Sequence, residues 1–159
     1  MQEIERKFLV TSEAFKELAF KKTRIVQGFL NTHPERTVRV RIKGTEGFIT
    51  VKGLGNETGA SRFEWEKQIT EEEADALLEI CEPGKIDKIR HEVKSGKHIF
   101  EIDEFFGDNE GLIVAEVELS EEQETVTIPN WIGDEVTGQT KYYNSQLSKQ
   151  PYKTWNDEN

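Results

Sequence analysis

The chain has 159 residues, 35% apolar and 33% charged, with a net charge of −10 at pH 7. That length suits one domain, and the apolar residues recur along it often enough to argue for a core rather than disorder. The acidic balance weighs against nucleic acid polymers and anionic membranes as partners. No stretch is long and apolar enough for a membrane span, and the N-terminus shows no signal-peptide pattern.

Residues 2–10 (QEIERKFLV) alternate and predict a strand, with Glu3, Glu5 and Lys7 on one face and Ile4, Phe8 and Val10 on the other. Residues 12–20 predict a short helix with Phe15, Leu18 and Ala19 on its apolar side, capped by Thr11 or Ser12. A strand at 24–31 stops at Thr32-His33-Pro34. Residues 36–43 set Arg39, Arg41 and Lys43 against Val38, Val40 and Ile42, and 46–52, ending in Lys52, follows across a Gly44 turn as a hairpin. After a glycine-rich loop from Gly53 to Ser61, residues 62–69 place Arg62, Glu64 and Glu66 opposite Phe63, Trp65 and Ile69.

Thr70 with Glu73 reads as a capping box opening a helix at about 71–81, which Pro83-Gly84 ends. Cys81 falls in the apolar pattern of that helix and reads as buried filler; as the only cysteine it cannot form an internal disulfide, which fits a reducing, cytoplasmic setting. Strands at 85–94 and 97–105 flank a Ser95-Gly96 turn and carry Lys88, Arg90 and Glu92, then Glu101 and Asp103, on one face. A last strand at 112–119 carries Glu116 and Glu118. Ser120 with Gln123 predicts a helical turn, Trp131 an apolar anchor before a turn at 132–134, and 140–149 a helix whose Tyr142 and Tyr143 pack over the sheet. His33, His91 and His98 are isolated and are expected at the surface or at strand edges. Residues 1–150 are expected to form a single domain and 151–159 a flexible tail.

About eight antiparallel strands thus share one polarity pattern, and two arrangements satisfy it. Apolar faces can make the core with charges in solvent, the simpler reading of any one strand. Alternatively the sheet closes into a barrel with its charges inward and helices covering the apolar outside, since eight strands leave a bore wide enough for side chains or one small ligand. Two features favour the second. The charges are sorted, with acids paired at 3/5, 64/66, 101/103 and 116/118 and bases at 39/41 and 88/90. The predicted helices also have apolar faces that need a sheet to lie on. The expectation is a β-dominated α+β fold: an eight-stranded antiparallel barrel, or tunnel, with a charged interior and helices packed outside.

Clustered carboxylates without histidine suit a hard divalent cation, Mg²⁺ or Mn²⁺. Arginines and lysines around the same cavity suit phosphate oxygens. Together they imply a polyanion bound as a metal complex, and phosphoryl transfer or phosphoanhydride hydrolysis as the reaction class. Gly53-Leu54-Gly55 lacks the residues of a Walker loop.

Glu3-x-Glu5-x-Lys7, followed by Arg39-x-Arg41, Lys52, Glu64-x-Glu66, Lys88-x-Arg90, Asp103 and Glu116-x-Glu118, resembles the CYTH domain, or triphosphate tunnel metalloenzyme, superfamily. The stretches EIERKFLV, QGFL, VAEVEL and GDEVTGQTKYYNSQL look most like its short bacterial members that resemble inorganic triphosphatases. The resemblance implies a tunnel open at both ends that hydrolyses tripolyphosphate to pyrophosphate and phosphate with a divalent metal. It casts Glu5, Glu116 and Glu118 as ligands of the metal that holds triphosphate, and Glu3 and Asp103 as helpers at a second metal that positions water. Lys7, Arg39, Arg41, Lys52, Lys88 and Arg90 become phosphate contacts, Glu64 and Glu66 orient bases or a water, and Lys141 reaches the substrate from a C-terminal plug. Lys141 stands where an arginine is common in this group, and Phe29 where a tyrosine is common. Two activities stay open on the same fold, a class IV-like adenylate cyclase and a hydrolase of nucleoside or thiamine triphosphate. A polyphosphate-binding module without turnover is a third reading, and a homodimer is compatible with all of them.

Overall fold

A computed structural model describes residues 1–155. Nine strands form one sheet: β1 (Gln2–Val10), β2 (Lys21–Asn31), β3 (Arg36–Lys43), β4 (Glu46–Gly53), β5 (Ser61–Ile69), β6 (Ile86–Ser95), β7 (His98–Phe105), β8 (Ile113–Glu118) and β9 (Ile132–Glu135). Their order is β5-β4-β3-β2-β6-β7-β8-β1-β9, and β5 also pairs with β1. That pairing (Gln2 with Phe63, Glu3 with Arg62) closes the eight expected strands into an antiparallel barrel. The short β9 adds to β1 at the outside edge of the closure. Its residues were expected as a turn; Val10 pairs with Ile132 and Phe8 with Glu135, so the ladder extends where four residues carried too little alternation to show.

Local chemistry sets the connections. The β3–β4 hairpin pairs Lys43 with Glu46 across Gly44-Thr45, and Gly44 adopts φ +66°, the left-handed region such two-residue turns require. Thr70 and Glu73 exchange both capping-box bonds at the start of helix α2 (Glu71–Glu79). Helix α1 spans only Phe15–Leu18, shorter than the periodicity predicts, because β2 starts early: Lys21 already pairs with Glu92. No helix forms at 120–123; the Glu124 carboxylate accepts from both the Ser120 amide and hydroxyl instead.

Directly paired residues share a face of the sheet, so the register decides the polarity. Glu5 opposite Glu118, Lys7 opposite Glu116, Arg90 opposite Asp103 and Lys52 opposite Glu64 all face the bore. The intervening apolar residues face out and are covered in two patches. Phe8, Val93, Phe100, Ile102, Ala115 and Val117 lie under Phe15 and Trp131. Val40, with Leu30, Ile42 and Ile49, lies under Ala74 and Leu78 of α2, with Cys81 at the margin. Fully burying one such side chain stabilises the fold by about 1.5–3 kcal/mol, so the outer skin supplies what the charged interior cannot.

A third apolar cluster lies inside the barrel. Phe29, Ile86, Phe105 and Val114 point into one end of the bore and pack against Val136, Tyr142 and Leu147 of the C-terminal segment. This segment was expected as one helix over the sheet. It is a 3₁₀ turn (Thr140–Tyr142), an extended Tyr143, and a four-residue helix α3 (Asn144–Leu147). The break at Tyr143 lets successive residues reach different depths of the bore. Residues 151–155, expected in the tail, form a 3₁₀ turn (Tyr152–Thr154), and the Trp155 ring packs on Tyr142 and Tyr152. The rest of the expected tail, 156–159, lies outside the described residues. No helix among the described residues is long and apolar enough to cross a membrane.

Two of the three histidines depart from expectation. His91 and His98 are buried on the outer face, where strand alternation hides them beneath connecting segments; His91 Nε2 meets Glu104 at 3.1 Å and His98 meets Glu124.

Candidate active site

Above the plug the bore opens into a chamber of about 180 Å³. Each strand of the barrel contributes to its wall, because each presents alternate residues inward. The acids lie mainly on β1, β5 and β8, as Glu3, Glu5, Glu64, Glu66, Glu116 and Glu118. The bases lie mainly on β3 and β6, as Arg39, Arg41, Lys43, Lys88 and Arg90, joined by Lys7, Lys52 and Arg62. Every residue singled out in the sequence as a site candidate lines this chamber except Asp103 and Lys141.

Most of the charges are paired. Lys52 Nζ donates to Glu3 at 2.9 Å and lies 3.7 Å from Glu64. Glu66 accepts from Thr50 Oγ1 at 2.7 Å and faces Arg41 at 3.4 Å and Arg39 at 3.5 Å. Burial alone would raise the Glu66 carboxyl; the Thr50 bond and the two arginines outweigh it and hold the pKa below its ordinary value. Lys7 Nζ lies 3.2 Å from Glu116. Burial would likewise raise Glu116, but Lys7 and Arg90 hold it down at about 2.

Asp103 is the most committed acid. Arg90 Nε and Nη2 donate to its two oxygens at 2.8 and 2.9 Å, and Lys88 Nζ lies 2.8 Å away. Burial is outweighed by these two cations, which keep the carboxyl far below the usual range. Asp103, expected as a helper at a second metal, has its oxygens engaged by Arg90 and Lys88 and holds these two bases in place. For Lys88 itself, burial dominates and pushes the ammonium down to about 8.

Glu5 is the opposite case. Its side chain has no ion-pair or hydrogen-bond partner among the described residues. Burial, then the charges of Glu116 and Glu3, push it from 4.5 up to about 8. Burial and the charges of Glu3, Glu101 and Glu64 also raise Glu118, which stands opposite Glu5 in the ladder. A group of carboxylates that resist ionising together is relieved by a dication. No three acidic or histidine side chains among the described residues converge as a finished cation cage.

Lys141, expected to reach the substrate, is placed away from the chamber. It is exposed, with Nζ over the rings of Trp155 (4.5 Å) and Tyr142 (5.3 Å), outside the chamber. The extended backbone at Tyr143 turns the next residues inward instead. The Tyr143 ring lies between Lys7 and Arg62, 5.0 and 5.3 Å from their cationic groups, and Asn144 and Ser145 join the wall. Sequence reading took Tyr143 for outer packing and passed over Asn144 and Gln27. One signal was present for Gln27: a lone carboxamide in the otherwise apolar run RIVQGFL.

A closed antiparallel barrel with sorted charges inside and apolar faces outside defines a tunnel-type polyanion site. A CYTH domain signature matches residues 1–151, and the chain belongs to the CYTH family. An inorganic triphosphatase of Acetivibrio thermocellus is 43% identical over 157 residues, covering 98% of this chain and 99% of that protein. An inorganic triphosphatase of Nitrosomonas europaea is 39% identical over 155 residues, covering 93% and 97%. A crystal structure of an inorganic triphosphatase superposes with a TM-score of 0.64 at 35% identity, covering 92% of this chain and 97% of that one.

Proposed function

We propose that this protein is a metal-dependent inorganic triphosphatase, which hydrolyses tripolyphosphate to pyrophosphate and phosphate inside the chamber. The observation that carries the reading is the carboxylate pair Glu5 and Glu118, without ion-pair partners among the described residues, facing a wall of braced cations in one closed bore. The full-length similarity to inorganic triphosphatases supports it.

Glu5, Glu116 and Glu118 would hold the divalent cation, Mg²⁺ or Mn²⁺, as hard oxygen donors. Such an ion would supply charge neutralisation of the triphosphate and polarisation of the phosphoanhydride. The chain's own bases do the positioning. Arg39 and Arg41, braced by Glu66, and Arg90 and Lys88, braced by Asp103, present fixed donors to phosphate oxygens. Fixed donors need no reorganisation as charge shifts to the leaving pyrophosphate. Lys7 and Lys52 lie closer to the acids and contribute positive charge at the junction of the two walls. The free thiol of Cys81 supports a reducing compartment, and we infer that the enzyme works in the cytoplasm.

A phosphate-release panel tests the reading directly. Purified protein is assayed on tripolyphosphate, ATP, GTP and thiamine triphosphate with Mg²⁺ or Mn²⁺, alongside a cyclic AMP assay. The expected outcome is preferential release from tripolyphosphate that a chelator abolishes. Absence of release from tripolyphosphate with either metal, or cyclic AMP as the main product from ATP, would overturn it.

A further inference from the structure

We infer that Asn144 is a substrate-binding residue, a neutral hydrogen-bond donor to a phosphate oxygen, and that Gln27 is the positioning residue that aims it. The inference rests on the triphosphatase reading and adds residues that the charge pattern did not suggest.

The orientation of the Asn144 amide follows from its partners. Lys88 Nζ lies 2.9 Å from Asn144 Oδ1, and a lysine ammonium has only donors to offer. The atom facing Lys88 must therefore be the oxygen. Gln27 reaches the same oxygen at 3.0 Å, so it must offer its Nε2. A flipped Asn144 amide would place its N–H groups against the Lys88 ammonium, which cannot accept them. Asn144 Nδ2 is left without a protein partner among the described residues, on a side chain that lines the chamber.

Gln27 is 0% exposed, its Oε1 has no partner among the described residues, and the opposite Gln27 rotamer would break the bond to Asn144. Lys88 does not need Asn144 for anchorage, since Asp103 already holds it at 2.8 Å. What the Gln27 and Lys88 donors achieve is a fixed orientation of the Asn144 amide, which leaves Nδ2 free on a chamber-lining side chain.

Asn144→Asp separates donor from scaffold. The carboxylate still accepts from Lys88 and Gln27, so the fold is kept, but the chamber-facing N–H becomes an oxygen that repels phosphate. On the full chain with Mg²⁺ or Mn²⁺, the expected result is a melting temperature at or above wild type and a KM for tripolyphosphate raised on the order of 100-fold. Asn144→Ala removes the donor while Asp103 keeps Lys88 in place, and is expected to raise KM roughly tenfold. Gln27→Met is expected to raise KM a few-fold with the melting temperature unchanged or higher. If wild type turns over tripolyphosphate and both Asn144 variants, folded, keep KM within twofold of it, the inference falls and the triphosphatase reading stands. If the aspartate variant fails to fold, the alanine variant decides on KM alone. If wild type neither turns over tripolyphosphate nor is thermally stabilised by it, the functional reading fails and takes the inference with it.

Discussion

Glu5 and Asp103 are both carboxylates inside the same bore, and the protein treats them in opposite ways. Asp103 is wrapped by Arg90 and Lys88 at 2.8–2.9 Å, and its proton affinity is driven far down. Glu5 has acids as its strongest neighbours, and its pKa is driven up to about 8. The oxygens of Asp103 are spent on the wall, whereas those of Glu5 have no partner among the described residues and are open to a ligand. Charge type alone does not separate the two, since both residues lie on alternating strands with a second acid two positions away.

The sharpest way to break this contrast is Asp103→Asn. It leaves Arg90 and Lys88 as buried neighbouring cations, so a loss of about 3–5 kcal/mol in unfolding free energy is expected, the size found on removing one partner of a buried pair. Chemical denaturation measures it; a loss under about 1 kcal/mol would mean the triad is not structural. Asp103 also has a depressed native pKa, so its contribution is present above the ordinary 3.8 and is lost as pH falls below it.

Glu5→Gln should give the reverse profile. Metal-dependent phosphate release from tripolyphosphate is expected to fall on the order of 100-fold, about 2.7 kcal/mol in barrier, while the protein stays folded. Its stability in chelator should respond to pH differently from wild type. Glu5 in the native protein keeps its proton up to about 8, whereas the unfolded chain releases it near 4.5. Wild type is therefore expected to lose stability as pH rises from 4.5 through 8, and Glu5→Gln to lose less, by on the order of 1 kcal/mol or more at pH 9. Melting curves at pH 5, 7 and 9 test the sign, and a wild type that gains stability over that range relative to the variant would contradict it. The smallest effect is expected at Lys141→Ala. With its ammonium on the Trp155 and Tyr142 rings, kcat/KM should change less than about twofold and stability by about 0.5–1 kcal/mol, the scale of an exposed cation–π contact. A tenfold loss of activity would return Lys141 to the site.

Much of the fold was legible because it is written in short-range alternation. The eight barrel strands, the Gly44 and Ser95-Gly96 turns and the Thr70–Glu73 capping box each depend on residues within a few positions of one another. So does the membership of the chamber wall, since residues i and i+2 share a face and the sorted pairs at 3/5, 39/41, 88/90 and 116/118 all arrive there together. The segments that failed carry no such period. The C-terminal run 140–149 has helical composition, yet it breaks at Tyr143 because its apolar residues must fill a barrel end built by Phe29, Ile86, Phe105 and Val114. Four residues of β9 are too few for alternation to register, and they become a strand only because β1 offers an edge.

By itself, then, the sequence determined the strands, their two faces, and which ionisable residues travel together. Which face is inside was decided only by closure of β5 on β1 and by the apolar skins under α2 and Trp131. Whether each inward charge serves the wall or a ligand was decided later still, by the partners the completed barrel brings together. Asp103 meets Arg90 across a hairpin, and Asn144 meets Gln27 across 117 positions. The physical reason is range: backbone alternation is a property of neighbouring residues, whereas the ionisation and hydrogen bonding of a buried side chain depend on whatever the completed barrel brings within about 3 Å.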